Sequence, residues 1–244
     1  MIEQTVITLP DISVVIPIYN EAENIFLLTE ELTAVLPKLK KPWEVIFVDD
    51  GSTDASLRAL EAVSDRWASV RVIGFENNRG QTAAFAAGFS RARGEIIITM
   101  DGDLQNDPAD IPKLLEKIGT CDLVCGRRQK RNDGFVRRLS SRIANRIRNR
   151  FLGDGISDVG CSLKSFRREY VEKLKLYNGM HRFFPALVQM EGGRIVEIPV
   201  NHRPRKYGRA KYNIGNRAVR AFVDLLAVCW MKKRHLSLNI KEYY

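Results

Sequence analysis

The sequence predicts an α/β fold with a mainly parallel central sheet, helices on both faces and a basic C-terminal extension. Two observations predict it. Short apolar, β-branched runs alternate strictly with stretches of helical spacing as far as Gly126, and the connections are short. Three polar clusters also fall just after such runs, at the carboxyl ends of the expected strands, where open parallel sheets bind ligands.

Residues 12–17 are apolar and end at a proline, the pattern of a strand buried on both faces. Residues 21–36 place Ile25, Leu28, Leu32 and Leu36 on one side of a helix. Residues 44–48 form a second strand running into Asp49-Asp50-Gly51-Ser52, and Asp54 is expected to cap a helix carrying Leu57, Leu60 and Val63. Residues 70–75 read as a strand, the alanine-rich residues 80–93 as a helix, and residues 95–100 as a strand leading into Asp101-Gly102-Asp103. Pro108 opens a further helix, and residues 122–124 form a short strand.

Beyond Gly126 the regularity fades. Residues 137–151 read as a basic helix, 157–166 as a strand, 181–190 as a helix, 194–200 as a strand and 213–233 as a last helix. No repeat or linker intervenes, so residues 1–212 are expected to form one domain and 213–244 a C-terminal helical extension.

Charge is divided along the chain. Up to Cys125 there are 11 Lys and Arg against 20 Asp and Glu, and thereafter 28 against 9. The acidic half suits a metal or nucleotide site and the basic half suits anions. Between Arg127 and Arg150 stand 10 cationic residues and one acid, Asp133, and Arg138, Arg142 and Arg146 share a helical face. Cys121, Cys125, Cys161 and Cys229 have no zinc-type spacing and read as reduced thiols of a cytosolic protein. No signal peptide is visible, and the apolar stretch 221–231, interrupted by Asp224, falls short of the roughly 20 residues that cross a bilayer. Nucleic acid is not an expected partner, because no helix-turn-helix, zinc-finger or RNP-like pattern accompanies the basic charge.

Two acids one residue apart at a strand end, Asp101 and Asp103, can both face a divalent ion of the Mg²⁺ or Mn²⁺ type that also takes diphosphate oxygens. Asp50, at another strand end, can accept hydrogen bonds from a ribose or base edge, as an acid does in dinucleotide folds.

Five stretches make the sequence resemble family 2 glycosyltransferases of the GT-A type, with their nucleotide-sugar-binding, Rossmann-like sandwich. Within that family it looks like the dolichyl- and polyprenyl-phosphate sugar synthases. They are Val14-Val15-Ile16-Pro17-Ile18-Tyr19-Asn20-Glu21, Val48-Asp49-Asp50-Gly51-Ser52-Thr53-Asp54, Asn78-Arg79-Gly80, Met100-Asp101-Gly102-Asp103-Leu104-Gln105 and Arg205-Lys206-Tyr207-Gly208-Arg209-Ala210-Lys211-Tyr212. The resemblance implies that Pro17, Tyr19, Glu21 and Asp50 hold the nucleoside and that Asp101 contacts the nucleotide. It implies a Mg²⁺ or Mn²⁺ ion on Asp101, Asp103 and Gln105, with Asp103, Arg205 and Lys211 serving the reaction. Arg128 falls at a donor-side position, and Arg137 with Ser141 at the acceptor phosphate. Ala210 departs from the serine usual before Lys211.

The implied partners are a GDP- or UDP-sugar, a polyprenyl or dolichyl phosphate, and the cytosolic face of a membrane, reached peripherally or through a membrane-protein partner. The phosphate suits the residues, since an anionic phosphate monoester attacks a sugar carbon without the protein base that a hydroxyl needs. A family 2 enzyme acting on a sugar hydroxyl is the alternative, with Asp154 or Asp158 as its base. Phe183 and Phe184 read as core and His181 is not expected to act as a base.

Overall fold

The computed structural model describes residues 9–129, 145–207 and 215–236. A seven-stranded sheet runs in the order β3-β2-β1-β4-β6-β5-β7. Its strands are β1 (Ile12–Ile18), β2 (Trp43–Asp49), β3 (Val70–Gly74), β4 (Ile96–Thr99), β5 (Leu123–Arg128), β6 (Lys164–Arg167) and β7 (Ile195–Val200). Every pairing is parallel except those of β6, which runs antiparallel to both β4 and β5.

The helices are α1 (Ala22–Val35), α2 (Ser56–Arg66), α3 (Gln81–Arg91), α4 (Ile111–Ile118), α5 (residues 145–152), α6 (Arg168–Lys173), α7 (Phe184–Met190) and α8 (Gly215–Arg234). Alternation along the strands decides which face each covers. Val14, Ile16, Val45 and Phe47 join a core with Ile25, Leu28, Leu32, Leu60, Val63 and Leu114, so α1, α2 and α4 lie on one face. Val15, Ile46 and Val48 join Ala84, Phe85, Val171, Phe184 and Val188, so α3, α6 and α7 lie on the other. Phe183 and Phe184 are buried, as expected. Contact between α3 and the sheet is close: a Cβ on Gly88 would fall 2.2 Å from Val15 Cγ1.

Several local expectations need adjusting. Asp54 is not the N-cap of α2; Ala55 is, and Asp54 Oδ1 instead accepts the Ser56 amide at 2.9 Å. Pro108 opens a 3-10 turn, Pro108–Asp110, and α4 begins after it. The strand expected over 157–166 contracts to β6, because residues 157–163 loop around polar contacts before the ladder starts at Lys164. Cys121, Cys125 and Cys161 are buried free thiols, and burial pushes the Cys125 thiol up to about 12.

Helix α8 lies against the domain. Leu225 and Val228 enter an apolar cluster with Leu152, Met180, Phe183, Ala186 and Leu187. Phe222, Val223, Leu226 and Trp230 turn away and are exposed. No helix among the described residues is long and apolar enough to cross a membrane.

Candidate active site

Because β1, β2, β4 and β5 are parallel, their carboxyl ends share one edge of the sheet. Antiparallel β6 starts at that edge, with Lys164 level with Thr99 and Cys125. The chain leaving β7, level with Arg128 at Val200, returns there too.

Pro17, Tyr19 and Glu21 occupy the end of β1. The turn after it is laced to the one after β2: Thr53 N donates to Asn20 Oδ1 at 2.7 Å, Asn20 N to Ser52 Oγ at 3.0 Å, and Glu21 N to Ser56 Oγ at 2.8 Å. Both oxygens of Asp50 face the loop before α3, accepting Arg79 N at 2.7 Å, Gly80 N at 2.9 Å and Asn78 Nδ2 at 3.0 Å. Burial raises the Asp50 carboxyl above its ordinary range, and the Arg79 and Gly80 amides oppose that rise. The Asn78-Arg79-Gly80 stretch thus serves as the staple of Asp50.

Asp101 and Asp103 follow β4. Gly102, between the acids, packs against the end of β1: a Cβ there would fall 2.4 Å from Ile18 Cδ1 and push that side chain aside. Asn106 Oδ1 accepts the Asp101 amide at 3.0 Å, and Gln81 Nε2 donates to Asp101 Oδ1 at 2.8 Å. Burial and the neighbouring Asp103 charge push the Asp101 carboxyl up to about 6, against the Ser162 hydrogen bond and the charges of Lys164 and Arg128. Asp103 is also raised, by burial, with the Arg205 guanidinium opposing.

Arg205 brings the segment after β7 onto these acids: Nη2 reaches Asp103 Oδ2 at 2.7 Å and Nη1 reaches Glu21 Oε1 at 3.3 Å. Arg203, two residues earlier, anchors the segment. Its guanidinium bonds both Glu31 oxygens at 2.7 and 2.8 Å and Asp107 Oδ1 at 2.7 Å. Gln105 lies between, its backbone amide on Asp103 Oδ1 at 3.1 Å and its side-chain amide on the Arg203 carbonyl at 3.4 Å. Lys211, Arg137 and Ser141 lie outside the described residues.

Arg128 grips Asp158 with two 2.7 Å hydrogen bonds, and Glu197 holds the same loop through the Ser157 and Asp158 amides at 3.0 and 2.9 Å. Asp154 is buried against Arg148 at 3.0 Å, and Asp154 Oδ2 and Arg148 Nε and Nη1 make no hydrogen bond. His181 Nδ1 lies 2.7 Å from Thr82 Oγ1, on the first turn of α3.

Glu21, Asp101, Asp103, Arg128 and Arg205 therefore form one electrostatic group, and Asp50 joins it through the turn at residues 78–81. Among the described residues no cluster of three His, Cys, Asp or Glu side chains forms a self-sufficient metal cage. Two carboxylates on one loop fit a Mg²⁺- or Mn²⁺-type ion that takes its remaining ligands from diphosphate and water. Gln81, Arg203 and Lys164 escaped the sequence reading. Only the invitation of unbalanced acids at strand ends could have signalled a nearby arginine and amide.

The Glycosyl transferase family 2 model matches residues 13–175. The chain is 42% identical over 229 residues to the dodecaprenyl-phosphate galacturonate synthase of Rhizobium johnstonii, covering 91% of this chain and 68% of that protein. It is 39% identical over 205 residues to the undecaprenyl-phosphate 4-deoxy-4-formamido-L-arabinose transferase of Pectobacterium atrosepticum, covering 83% and 63%. The chain thus spans about two thirds of the length of these relatives. In fold it is similar to Mycobacterium tuberculosis glucosyl-3-phosphoglycerate synthase, solved with Mn²⁺, UDP-glucose and phosphoglyceric acid. The TM-score is 0.70 at 20% identity, over 91% of this chain and 80% of that one. With its seven-stranded, mostly parallel sheet and acids at the strand ends, the chain belongs to glycosyl transferase family 2 as a GT-A glycosyltransferase resembling the polyprenyl-phosphate sugar synthases.

Proposed function

We propose that this protein transfers a sugar, with inversion, from a GDP- or UDP-sugar to a polyprenyl or dolichyl phosphate at the cytosolic face of a membrane. The observation that carries this reading is the meeting of Asp101 and Asp103 with Arg205 at one sheet edge: acids for a divalent cation, and a guanidinium suited to phosphate. Pro17, Tyr19, Glu21 and Asp50 border the nucleoside side of that edge. Asp101 and Asp103, with Gln105 beside them, would hold Mg²⁺ or Mn²⁺, which neutralises charge developing on the leaving diphosphate.

A lipid phosphate oxygen forms the new bond to the sugar C1 from the face opposite the leaving group. The bond from C1 to the donor diphosphate breaks, and the nucleoside diphosphate departs with the electron pair. Arg205, Lys211 and Arg128 bind and orient phosphate oxygens, and Arg137 and Ser141 receive the acceptor phosphate. No protein base is required, so positioning and charge neutralisation carry the chemistry.

The hydroxyl-acceptor alternative needs a carboxylate base. Both candidates are paired with an arginine: Asp154 is buried on Arg148, and Asp158 sits on Arg128, the arginine this reading assigns to phosphate. The relatives' names, which specify dodecaprenyl-phosphate and undecaprenyl-phosphate, support the lipid-phosphate acceptor.

The extension formed by residues 213–244 supplies the membrane contact. Phe222, Val223, Leu226 and Trp230 present an apolar face, and Lys232, Lys233 and Arg234 follow it as exposed cations. This arrangement suits an interfacial helix on an anionic bilayer. Incubating the protein with a panel of GDP- and UDP-sugars, Mn²⁺ or Mg²⁺ and undecaprenyl phosphate tests the whole reading. One donor should yield a sugar-bearing lipid and free nucleoside diphosphate, and failure of every donor would refute it.

A further inference from the structure

We propose that Gln81 is the positioning residue that orients Asp101 toward the cation and diphosphate, an inference resting on the donor-site reading above. Gln81 opens α3 and donates its side-chain amide to Asp101 Oδ1 at 2.8 Å across 20 residues of sequence. The loop before it is fixed independently, because Asp50 holds the Arg79 and Gly80 amides at 2.7 and 2.9 Å. The residue after it is fixed too: Thr82 is buried, and its hydroxyl meets His181 Nδ1 at 2.7 Å and accepts the Gly179 amide at 3.0 Å. The Gln81 backbone is therefore clamped on both sides, and its carboxamide is delivered to one carboxylate oxygen.

The residue type matters. A carboxamide is neutral and donates through N–H, so it satisfies Oδ1 without cancelling the negative charge that a cation needs. A lysine there would compete with the cation for the same carboxylate. With Oδ1 occupied by Gln81 and the Asp101 backbone amide tied to Asn106 Oδ1 at 3.0 Å, both the rotamer and the main chain of Asp101 are set. Partners of this kind, one step removed from a metal, govern its affinity through ligand orientation, typically by about 10- to 100-fold.

The test is Mn²⁺ titration of the full chain in the presence of UDP or GDP, read from the loss of the free-ion electron paramagnetic resonance signal. Gln81→Leu, close in size but without the donor, should weaken Mn²⁺-nucleotide binding by on the order of tenfold. Its thermal midpoint and near-UV circular dichroism should stay those of the wild type. Thr82→Val, which loosens the clamp but keeps the Gln81 donor, should weaken Mn²⁺ binding by less than Gln81→Leu does. Unchanged binding in Gln81→Leu overturns the proposal, as does an equal loss in Thr82→Val, which would assign the effect to the turn. A wild-type protein that binds Mn²⁺ with neither nucleotide overturns the donor-site reading and this proposal with it.

Discussion

Arg205 Nη2 stands 2.7 Å from Asp103 Oδ2 although 102 residues separate the two in sequence. The same guanidinium reaches Glu21, so one cation joins the ends of β1 and β4 to the segment after β7. Arg205→Gln should therefore lower turnover by on the order of 100-fold, the usual scale for removing one charge-stabilising donor. Arg205→Lys should fall between, since a point charge cannot bridge both acids as a planar fork does. Nucleoside diphosphate release under saturating donor measures both.

Asp101 gives a pH-dependent trade between stability and activity. Its carboxyl is raised from 3.8 to about 6 by burial and by Asp103. For an acid raised on folding, the stabilising contribution is complete below the unfolded value and is lost as pH rises through the folded one. Without metal, Asp101→Asn should thus be more stable than the wild type at pH 7.5, by about 3 kcal/mol. The difference should vanish near pH 4. Thermal melts across that range check this, and the variant should have lost transfer activity at every pH.

The Arg148–Asp154 pair is buried, with three of its polar atoms making no hydrogen bond. Asp154→Asn strands the Arg148 charge and should cost about 3 kcal/mol in urea unfolding. Replacing both together, Arg148→Met with Asp154→Leu, should recover most of that loss, because an apolar pair avoids the desolvation of two ions.

The outward face of α8 should carry vesicle binding. Trp230 is 65% exposed and Phe222 53%, on a helix whose other side packs into the domain. Phe222→Ser with Trp230→Ser should reduce co-sedimentation with phosphatidylserine-containing vesicles severalfold and leave the thermal midpoint unchanged. High salt should weaken wild-type binding in the same assay, through the cations at residues 232–234.

Much of this architecture was legible in the sequence, for identifiable reasons. Buried parallel strands such as β1 and β2 read as unbroken apolar runs, and the polar clusters that follow them mark the carboxyl ends where the candidate site lies. Strand β6 was blurred because Lys164 and Ser165 interrupt its apolar pattern and it pairs antiparallel on both sides. Arg203 was invisible as an anchor because its partner Glu31 lies 172 residues away. Gln81 was invisible for a related reason: an amide's role depends on what a neighbouring strand end presents to it. For α8 the apolar run bracketed by cations was readable, whereas the side that packs was fixed only by Leu152 and Met180 arriving from elsewhere.

The most direct test of the central claim compares two acceptors that differ only in the phosphate, undecaprenyl phosphate and undecaprenol, at equal concentration with the productive sugar nucleotide and Mn²⁺. Sugar-bearing lipid should form with the phosphate alone, since only that acceptor attacks without a protein base and engages the arginines at the sheet edge. Comparable product from the alcohol would contradict the account and place the reaction with hydroxyl-directed members of the family.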